Sequence, residues 1–432
     1  MKKIIEGIPG YDKLVLPLHK YRAFRAATKF DYPASGMKVI GVTGTNGKTT
    51  TCFMIHRMLT EAGYKVGLST TVAWGVGRQI HSQTEHMTTE TPYKLNQRIK
   101  EIVEQEAEFL VLEVSSHALS QSRTFGIPFD VVVETNVTHE HLDYHHTFKN
   151  YRDAKIKLFR AANKTVGGKR IGVINADDPS ASKFRSAIDM AITYGIDKGD
   201  AQARQVHMNG GSEYYVKYDG RKLHVKTQIP GIFNVYNSLA TAVVGIIYGL
   251  SNEQIEEGIY ALDFVEGRMN KINEGQKFDV IVDYAHTPDS FEQLFPQMKK
   301  SYDGKIIAVF GSAGGRRDPS KRRPMGEIAG KYADILILTE EDDRDTPGKT
   351  ILKQIAGGAE KSGKIIDKDL FLIGDRTKAI TRAIELAKKG DLVLLLGKGN
   401  EKSIERADGE IDWNESAVVR KILRNRNVKK SA

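Results

Sequence analysis

The chain of 432 residues holds a single cysteine, Cys52, and only two tryptophans. One thiol cannot build an internal disulfide framework or a multi-cysteine zinc site, so a cytoplasmic location is expected. No apolar run approaches the roughly 20 residues that span a bilayer, and no signal-peptide pattern opens the sequence. Internal repeats and low-complexity segments are also missing. What remains, 40% hydrophobic and 27% charged, is an ordinary globular composition with length for two or three domains. The formal charge is +10, spread over Lys and Arg and over a basic tail with Arg424, Arg426, Lys429 and Lys430. That distribution favours polyanionic small molecules, with weak contact to an anionic membrane surface, over nucleic acid.

What is there begins with Lys38 to Thr51, KVIGVTGTNGKTTT. A β-branched run leads into Gly44-Thr45-Asn46-Gly47-Lys48-Thr49-Thr50, and a helical pattern follows. Strand, glycine-rich turn and helix in that order are what a phosphate-binding loop requires. The glycines let backbone N–H groups turn toward an anion, and the helix N-terminus adds positive potential. Lys48 then reaches the β- and γ-phosphates, and the Thr49 hydroxyl is placed to ligate Mg²⁺.

Ahead of this stretch, Leu14 to Lys29 reads as an amphipathic helix with His19, Lys20, Arg22, Arg25 and Lys29, among the aromatic residues Tyr11, Tyr21, Phe24, Phe30 and Tyr32. Packing on the body of the protein is the default, and a membrane-surface helix is the sharper alternative. From residue 38 onward strands and helices alternate, which argues for a parallel sheet covered on both faces. The pattern predicts strands at 65–70, 109–112, 129–133 and 171–174, helices at 91–107 and 148–161, a hairpin over 212–228 turning at Asp219-Gly220, and an apolar helix over 233–250. Near Glu266-Gly267-Arg268 it restarts, with five further strands between 278 and 396 separated by helices. The expected organisation is α/β: a short basic, aromatic segment (1–37), a central P-loop NTPase-like domain with a parallel sheet (38–265), and a C-terminal Rossmann-like domain (266–432).

Two further pieces carry chemistry. Glu113 ends a buried strand beside the loop, where a Mg²⁺-organising carboxylate belongs. Residues 138–146, THEHLDYHH, place four histidines and two acids in nine positions. A metal site is the direct inference, although His139, His145 and His146 read equally well as solvated loop residues. The stretch comes close to the histidine pattern of zinc-dependent hydrolases, but a hydrolase has no use for a preceding P-loop.

These segments, taken with LEVSSHALSQSR (112–123), TNVTHEHLDYH (135–145), YRDAK (151–155), FNVYNSLA (233–240), GRMNKI (267–272), VDYAHTPDS (282–290), VFGSAGGRRDPSKRRPMGEIA (309–329) and GKGNE (397–401), resemble the Mur ligases over about residues 38–405. Within that family the chain is most similar to the MurE type, which adds the third amino acid to a muramoyl-dipeptide. The resemblance implies an ATP-dependent amide ligase: the γ-phosphate passes to a substrate carboxylate, and an incoming amine displaces it from the acyl phosphate. It implies Thr49 and Glu113 at one Mg²⁺, His141 as a metal-binding histidine, and Lys155 as a lysine carbamylated beside a second ion. It also implies Asn237 on the adenine side, Arg268 and Asp283 as nucleotide contacts from the C-terminal domain, and Thr88, Thr89, Ser116 and Arg123 around the muramoyl-peptide. Lys48, Glu113, His141 and Lys155 make up the catalytic set so implied. Without the family, Lys155 reads as an exposed helix lysine.

Three departures stand out. Members of the MurE type carry a UDP-binding N-terminal domain, and only about 37 residues precede the P-loop strand here, so a carrier other than UDP comes into view. The family's amino-acid-selecting motif, commonly Asp-Asn-Pro-Arg for meso-diaminopimelate, reads Glu341-Asp342-Asp343-Arg344. Arg344 can clamp a carboxylate, while the added acids make lysine or ornithine competitors. The Gly-His-Glu ending is Gly399-Asn400-Glu401, and Glu401 can still accept from an ammonium. A folylpolyglutamate synthase-like ligase, a Mur-type ligase on another carrier and a non-catalytic nucleotide-binding scaffold are the rivals. A monomer is expected.

Overall fold

The computed structural model describes residues 11–83, 87–208, 210–315 and 317–431, and the side chains of all of these except 11–15, 143 and 427–431. Tyr11, Leu14, Asp143, Lys429 and Lys430, named above, lie outside the described side chains, and Arg316 outside the described residues. The chain divides into two compact units, Met1–Asp263 and Phe264–Ala432.

In the first unit, among the described residues, one sheet collects β1 (Lys38–Thr43), β2 (Val66–Ser69), β3 (Ala73–Val76), β4 (Gln79–Ser82), β5 (Phe109–Glu113), β6 (Phe129–Glu134), β7 (Ile171–Asn175), β8 (Met190–Gly195), β9 (Ala201–Met208), β10 (Ser212–Tyr218) and β11 (Arg221–Thr227). Their order is β11-β10-β9-β8-β7-β6-β1-β5-β2-β3-β4. β1 lies between β5 and β6 and is parallel to both. Successive crossovers leave β1 on opposite sides, and that reversal opens a crevice at the carboxyl ends of the strands.

Strand alternation divides the core between the two faces. Ile40 and Val42 of β1, Phe109 and Val111 of β5, and Val131 and Val133 of β6 pack into one cluster with the helices Lys48–Glu61 and Ile232–Ile247. Val39, Leu110, Leu112, Phe129 and Val132 point the other way, toward the helices Pro92–Glu104 and Phe148–Ala162. Near-continuous Val, Ile and Leu runs are what strands buried on both faces require. The predicted hairpin is present as β10–β11, with a turn at Asp219 (φ 51°) and Gly220 (φ 70°). The short β3–β4 hairpin and the half-exposed β8 escape the pattern because neither carries a long apolar run.

The N-terminal helix Tyr11–Lys29 packs within the first unit through Ala23, Ala26 and Ala27, all buried. Phe24 meets Phe125 edge-on at 6.0 Å, and Phe30 meets Tyr93 at 5.0 Å. Leu18 and Tyr21 remain exposed on its outer side.

In the second unit, β12 (Asn270–Lys271), β13 (Asp279–Asp283), β14 (Ile306–Phe310), β15 (Ile335–Leu338), β16 (Leu370–Leu372) and β17 (Leu392–Leu396) form a sheet in the order β12-β13-β17-β14-β15-β16. All its pairings are parallel except β12–β13. A separate hairpin, β18 (Ser403–Arg406) and β19 (Gly409–Asp412), follows β17.

Candidate active site

β1 ends in the turn Gly44–Gly47, and the helix Lys48–Glu61 begins directly on it. Gly47 is left-handed (φ 81°), and a Cβ there would strike the Asn237 carboxamide. At Gly44 a Cβ would collide with the Thr135 hydroxyl. The turn can therefore be this tight only with glycine at both positions. The chain after β6 ties it down. Thr135 Oγ1 and Asn136 Nδ2 both donate to the Asn46 carbonyl, at 2.6 and 3.0 Å, and Asn136 Oδ1 accepts from Asn46 N at 2.9 Å. Thr45 Oγ1 accepts from Thr138 N at 2.9 Å.

Two ammonium groups converge on this loop. Lys48 Nζ donates to the Thr45 carbonyl at 2.7 Å, and Lys155 Nζ donates to the Gly44 carbonyl at 2.5 Å. Thr49 Oγ1 donates to Glu113 Oε2 at 3.0 Å, and the same oxygen accepts from Thr71 N at 3.0 Å. Thr50 is buried in the first helical turn, and Thr51 Oγ1 donates to Asn237 Oδ1 at 3.2 Å. Asn237 is thereby locked over Gly47, although the two are far apart in sequence. The expected nucleotide set of the first unit, Gly44 to Thr50 with Asn237, is thus in one place.

Lys155 corrects the reading from pattern alone. It is 1% exposed on the inner face of the helix Phe148–Ala162, with its ammonium 4.4 Å from the Tyr151 ring centroid. Burial, and then the nearby Lys48 cation, hold its pKa well below the ordinary lysine value. Tyr151, which the sequence did not single out, carries the loop's outer side: its hydroxyl lies 3.1 Å from Thr45 Oγ1 and donates to Glu140 Oε2 at 3.4 Å.

The expected substrate residues gather at the carboxyl end of β5. Thr89 Oγ1 donates to the Glu113 carbonyl at 2.9 Å and accepts from Ser115 N at 3.0 Å. Arg123 donates from Nη1 to the Thr89 carbonyl at 2.7 Å and from Nη2 to Gln121 Oε1 at 2.7 Å. Thr88 precedes Thr89 in the half-buried stretch leading there. Ser116 Oγ lies 3.0 Å from His145 Nε2.

Among the described residues no three of His, Cys, Asp and Glu converge on a common point. His139 and His146 are exposed, as a solvated loop would have them. His145 is not: it is buried, and burial followed by the His117 ring pushes its pKa down to about 3. His141 adopts a left-handed backbone (φ 55°), with its ring 4.8 Å from that of His117 and Nε2 3.7 Å from Glu140 Oε2. The His141 and His145 rings both lie against His117, with centroids at 4.8 and 5.5 Å, whereas His139 turns to Phe148 at 4.7 Å.

In the second unit, Asp283 ends β13 and accepts from Met269 N at 2.7 Å and Ala285 N at 2.8 Å. Burial pushes its carboxyl upward against the pull of Arg268, whose guanidinium lies 4.3 Å from the Tyr284 ring centroid. A second group surrounds Lys398, a fully buried lysine whose Nζ lies 2.8 Å from Asp342 Oδ1 and 2.5 Å from Glu401 Oε2. Arg344, left-handed at φ 54°, donates from Nε to Glu405 Oε2 at 2.7 Å, and its Nη2 stands 3.7 Å from Asp342 Oδ2. Arg344 therefore already holds a carboxylate of its own chain. Glu401 holds an ammonium of its own chain, that of Lys398. Glu405 did not stand out in the sequence because its partner is 61 residues away, and of the two partners of Lys398 one, Asp342, is 56 residues away.

The Mur ligase middle domain matches residues 42–245, and the Mur ligase glutamate ligase domain matches residues 267–399. UDP-N-acetylmuramoyl-L-alanyl-D-glutamate–2,6-diaminopimelate ligase 1 of Clostridium acetobutylicum is 37% identical over 411 residues, 94% of this chain and 82% of that protein. The chain belongs to the Mur ligase family. UDP-N-acetylmuramyl-tripeptide synthetase of Borreliella burgdorferi is 39% identical over 404 residues, 91% of this chain and 78% of the relative. Among solved structures, a UDP-N-acetylmuramoyl-L-alanyl-D-glutamate–2,6-diaminopimelate ligase superposes with a TM-score of 0.62 at 28% identity, covering 90% of this chain and 79% of that one. Mycobacterium tuberculosis folylpolyglutamate synthase complexed with ADP reaches 0.71 at 15% identity over 87% and 91% of the two chains, a likeness of fold alone. This Mur ligase is thus an ATP-dependent amide ligase of the MurE type, with the α/β architecture of its structural neighbours.

Proposed function

We propose that this Mur ligase adds a diamino acid to a UDP-linked muramoyl-L-alanyl-D-glutamate through an acyl phosphate, using ATP and Mg²⁺. The observation that carries this reading is the coupling of the P-loop to the carboxyl end of β5. Thr49 is hydrogen-bonded to Glu113, and the Glu113 carbonyl is hydrogen-bonded to Thr89, which Arg123 holds in turn. Phosphate-binding and substrate-binding residues thus share one strand end.

In this reading the N-terminus of the helix that begins at Lys48, and the Lys48 ammonium, receive the ATP phosphates. The Thr49 hydroxyl and Glu113 carboxylate, hard oxygen donors 3.0 Å apart, suit Mg²⁺. His141 and Lys155, as a carbamate, would complete the metal-binding set. The bound metal would supply charge neutralisation on the crowded phosphate oxygens. Burial supports the modification of Lys155, because only an uncharged amine can attack carbon dioxide, and desolvation favours that form. A substrate carboxylate oxygen then attacks the γ-phosphorus and ADP leaves. The incoming amine attacks the acyl carbon, loses a proton, and inorganic phosphate departs. Arg123 and Thr89, with Thr88 and Ser116, would orient the muramoyl-peptide. Arg268 and Asp283 are assigned to the nucleotide, and Arg344 and Glu401 to the amino acid, on the motif match.

ATP use and the buried Cys52 support a cytoplasmic enzyme, and we assign it as a monomer. Exposed Leu18, Tyr21 and Phe24 beside Lys20, Arg22 and Arg25 on the N-terminal helix support weak contact with an anionic membrane. Co-sedimentation with anionic vesicles that is unaffected by Tyr21→Ala plus Phe24→Ala would remove that contact.

The test of the reaction is phosphate release from ATP with UDP-N-acetylmuramoyl-L-Ala-D-Glu and a panel of diamino acids. Release should require all three substrates. Silence with every diamino acid, but release with a folate and glutamate, overturns the assignment.

A further inference from the structure

The second unit holds a charge arrangement that bears on which amino acid this ligase accepts. Four carboxylates, Glu341, Asp342, Glu401 and Glu405, stand around two cations, Arg344 and Lys398. Both cations are already taken. Lys398 lies between Asp342 and Glu401, and Arg344 donates to Glu405 at 2.7 Å with Asp342 at 3.7 Å. Arg406, beside them, is bound by both oxygens of Glu340 at 2.8 Å.

Two buried acceptors in the same loops have no donor from the chain: Glu341 Oε2 and the Asn400 side-chain carbonyl oxygen. Glu341 is 5% exposed, and its Oε2 faces Gly397, lying 2.6 Å from where a Cβ on that residue would sit. Buried acceptors without donors are costly, and an ammonium brings three N–H groups. The Arg344–Glu405 pair lines a cleft of about 570 Å³ whose walls also include Gly315, Asp345, Arg406 and Gly409, a size suited to a small molecule.

Glu405 is fixed to Arg344 by more than its side chain. Its carbonyl accepts from Arg344 N at 3.1 Å, and its own N–H donates to Asp342 Oδ1 at 3.0 Å. Its backbone is thus held on both sides, which lowers the conformational cost of the side-chain pair. An entering carboxylate would have to displace Glu405 and then sit among the remaining acids. An entering ammonium meets an excess of negative charge in the cleft walls, where Asp345, Glu405 and Glu410 outnumber Arg344 and Arg406.

Resting on the assignment of Arg344 and Glu401 to the amino-acid site, we propose that Glu405 is a specificity-determining residue. By occupying Arg344 it selects an amino acid whose side chain ends in an ammonium without a distal carboxylate, the L-lysine or L-ornithine class, over meso-diaminopimelate.

The test compares kcat/KM for L-lysine, L-ornithine and meso-diaminopimelate, by phosphate release from the full chain with ATP and the muramoyl-dipeptide. The wild-type ratio should favour lysine or ornithine by about tenfold or more. Glu405→Gln, which keeps the hydrogen-bond acceptor and removes the charge, should move the ratio about tenfold toward diaminopimelate, mainly through KM. Glu405→Ala should move it at least as far. A wild-type preference for diaminopimelate, or equal effects of Glu405→Gln on all three, overturns the proposal. Arg344→Ala separates the two layers. If it leaves KM for every amino acid unchanged, the amino-acid assignment itself is wrong. If it raises KM while Glu405→Gln leaves the ratio unmoved, only the role of Glu405 is lost. Thermal unfolding of each variant checks that the second unit is intact.

Discussion

The turn after β1 and the loops around Arg344 both concentrate charge, and they are built from different parts of the chain. At the turn the backbone carries the function: two glycines, a helix N-terminus, and carbonyls gripped by Lys48 and Lys155. Its scaffold is three adjacent parallel strands with fully buried apolar faces. Around Arg344 side chains dominate, as four carboxylates outnumber two cations across three loops. A backbone site has few substitutable parts and tolerates little change. A side-chain network can be retuned one residue at a time, which suits the amino-acid-selecting role proposed for Arg344 and Glu401.

The comparison breaks most readily at the turn. Lys155→Met should lower the rate of phosphate release by about 10² or more while leaving the fold intact, since a thioether chain fills the same buried channel without charge. Mass spectrometry of the native protein should show a carbon dioxide adduct on Lys155 that the variant lacks; a rate within twofold of wild type would remove the residue from the chemistry.

Gly47→Ala comes next. The left-handed backbone and the collision with Asn237 together should cost about 1–3 kcal/mol of stability and abolish ATP binding by titration calorimetry. The paired variant Asn237→Ala should relieve the collision but not the backbone strain, so ATP binding should recover only in part.

The two regions should also respond oppositely to pH. His145 is held neutral down to about 3, below its ordinary 6.5, so the first unit should lose stability as pH falls from 6.5 toward 3. At Asp343 burial, and then Glu340, push the carboxyl up to about 6 from 3.8, so ionisation is opposed in the folded state and the second unit should lose stability as pH rises from about 4 to 6. His145→Gln should flatten the first dependence. Asp343→Asn should flatten the second and add about 1 kcal/mol at pH 7, discounted for partial exposure. Urea unfolding at pH 4.5 and 7, followed by probes in each unit, reads both; equal slopes in the variants and the parent would refute the assignment.

The smallest effect lies far from either region. Tyr21→Ala, on the outer side of the N-terminal helix, should change unfolding free energy by less than about 0.5 kcal/mol, whereas Ala27→Asp, at a fully buried position, should destabilise the first unit severely.

Much of this was legible in advance. The P-loop, the parallel strands around it, Glu113 at the end of β5 and the Asp219-Gly220 hairpin follow from local signals: glycine at forced dihedrals, β-branched runs and turn chemistry. The single Cys52 and the motif order that marks the family are equally local. Distant pairings were not legible. No spacing rule reveals that Lys155 is buried, because Phe148–Ala162 is amphipathic and its inner edge is chosen only when the helix docks on the sheet. Nor did spacing reveal that His141 and His145 both pack on His117 while His139 turns to Phe148. Glu405 meets Arg344 across 61 residues of sequence, through a register set by β18 and the Asp342 loop. Sequence by itself determined the phosphate-binding turn, the alternating α/β order and the family, since each rests on neighbours in the chain. Tertiary structure alone decided which charges are buried and which are paired, because burial and Coulomb energy depend on distance in space.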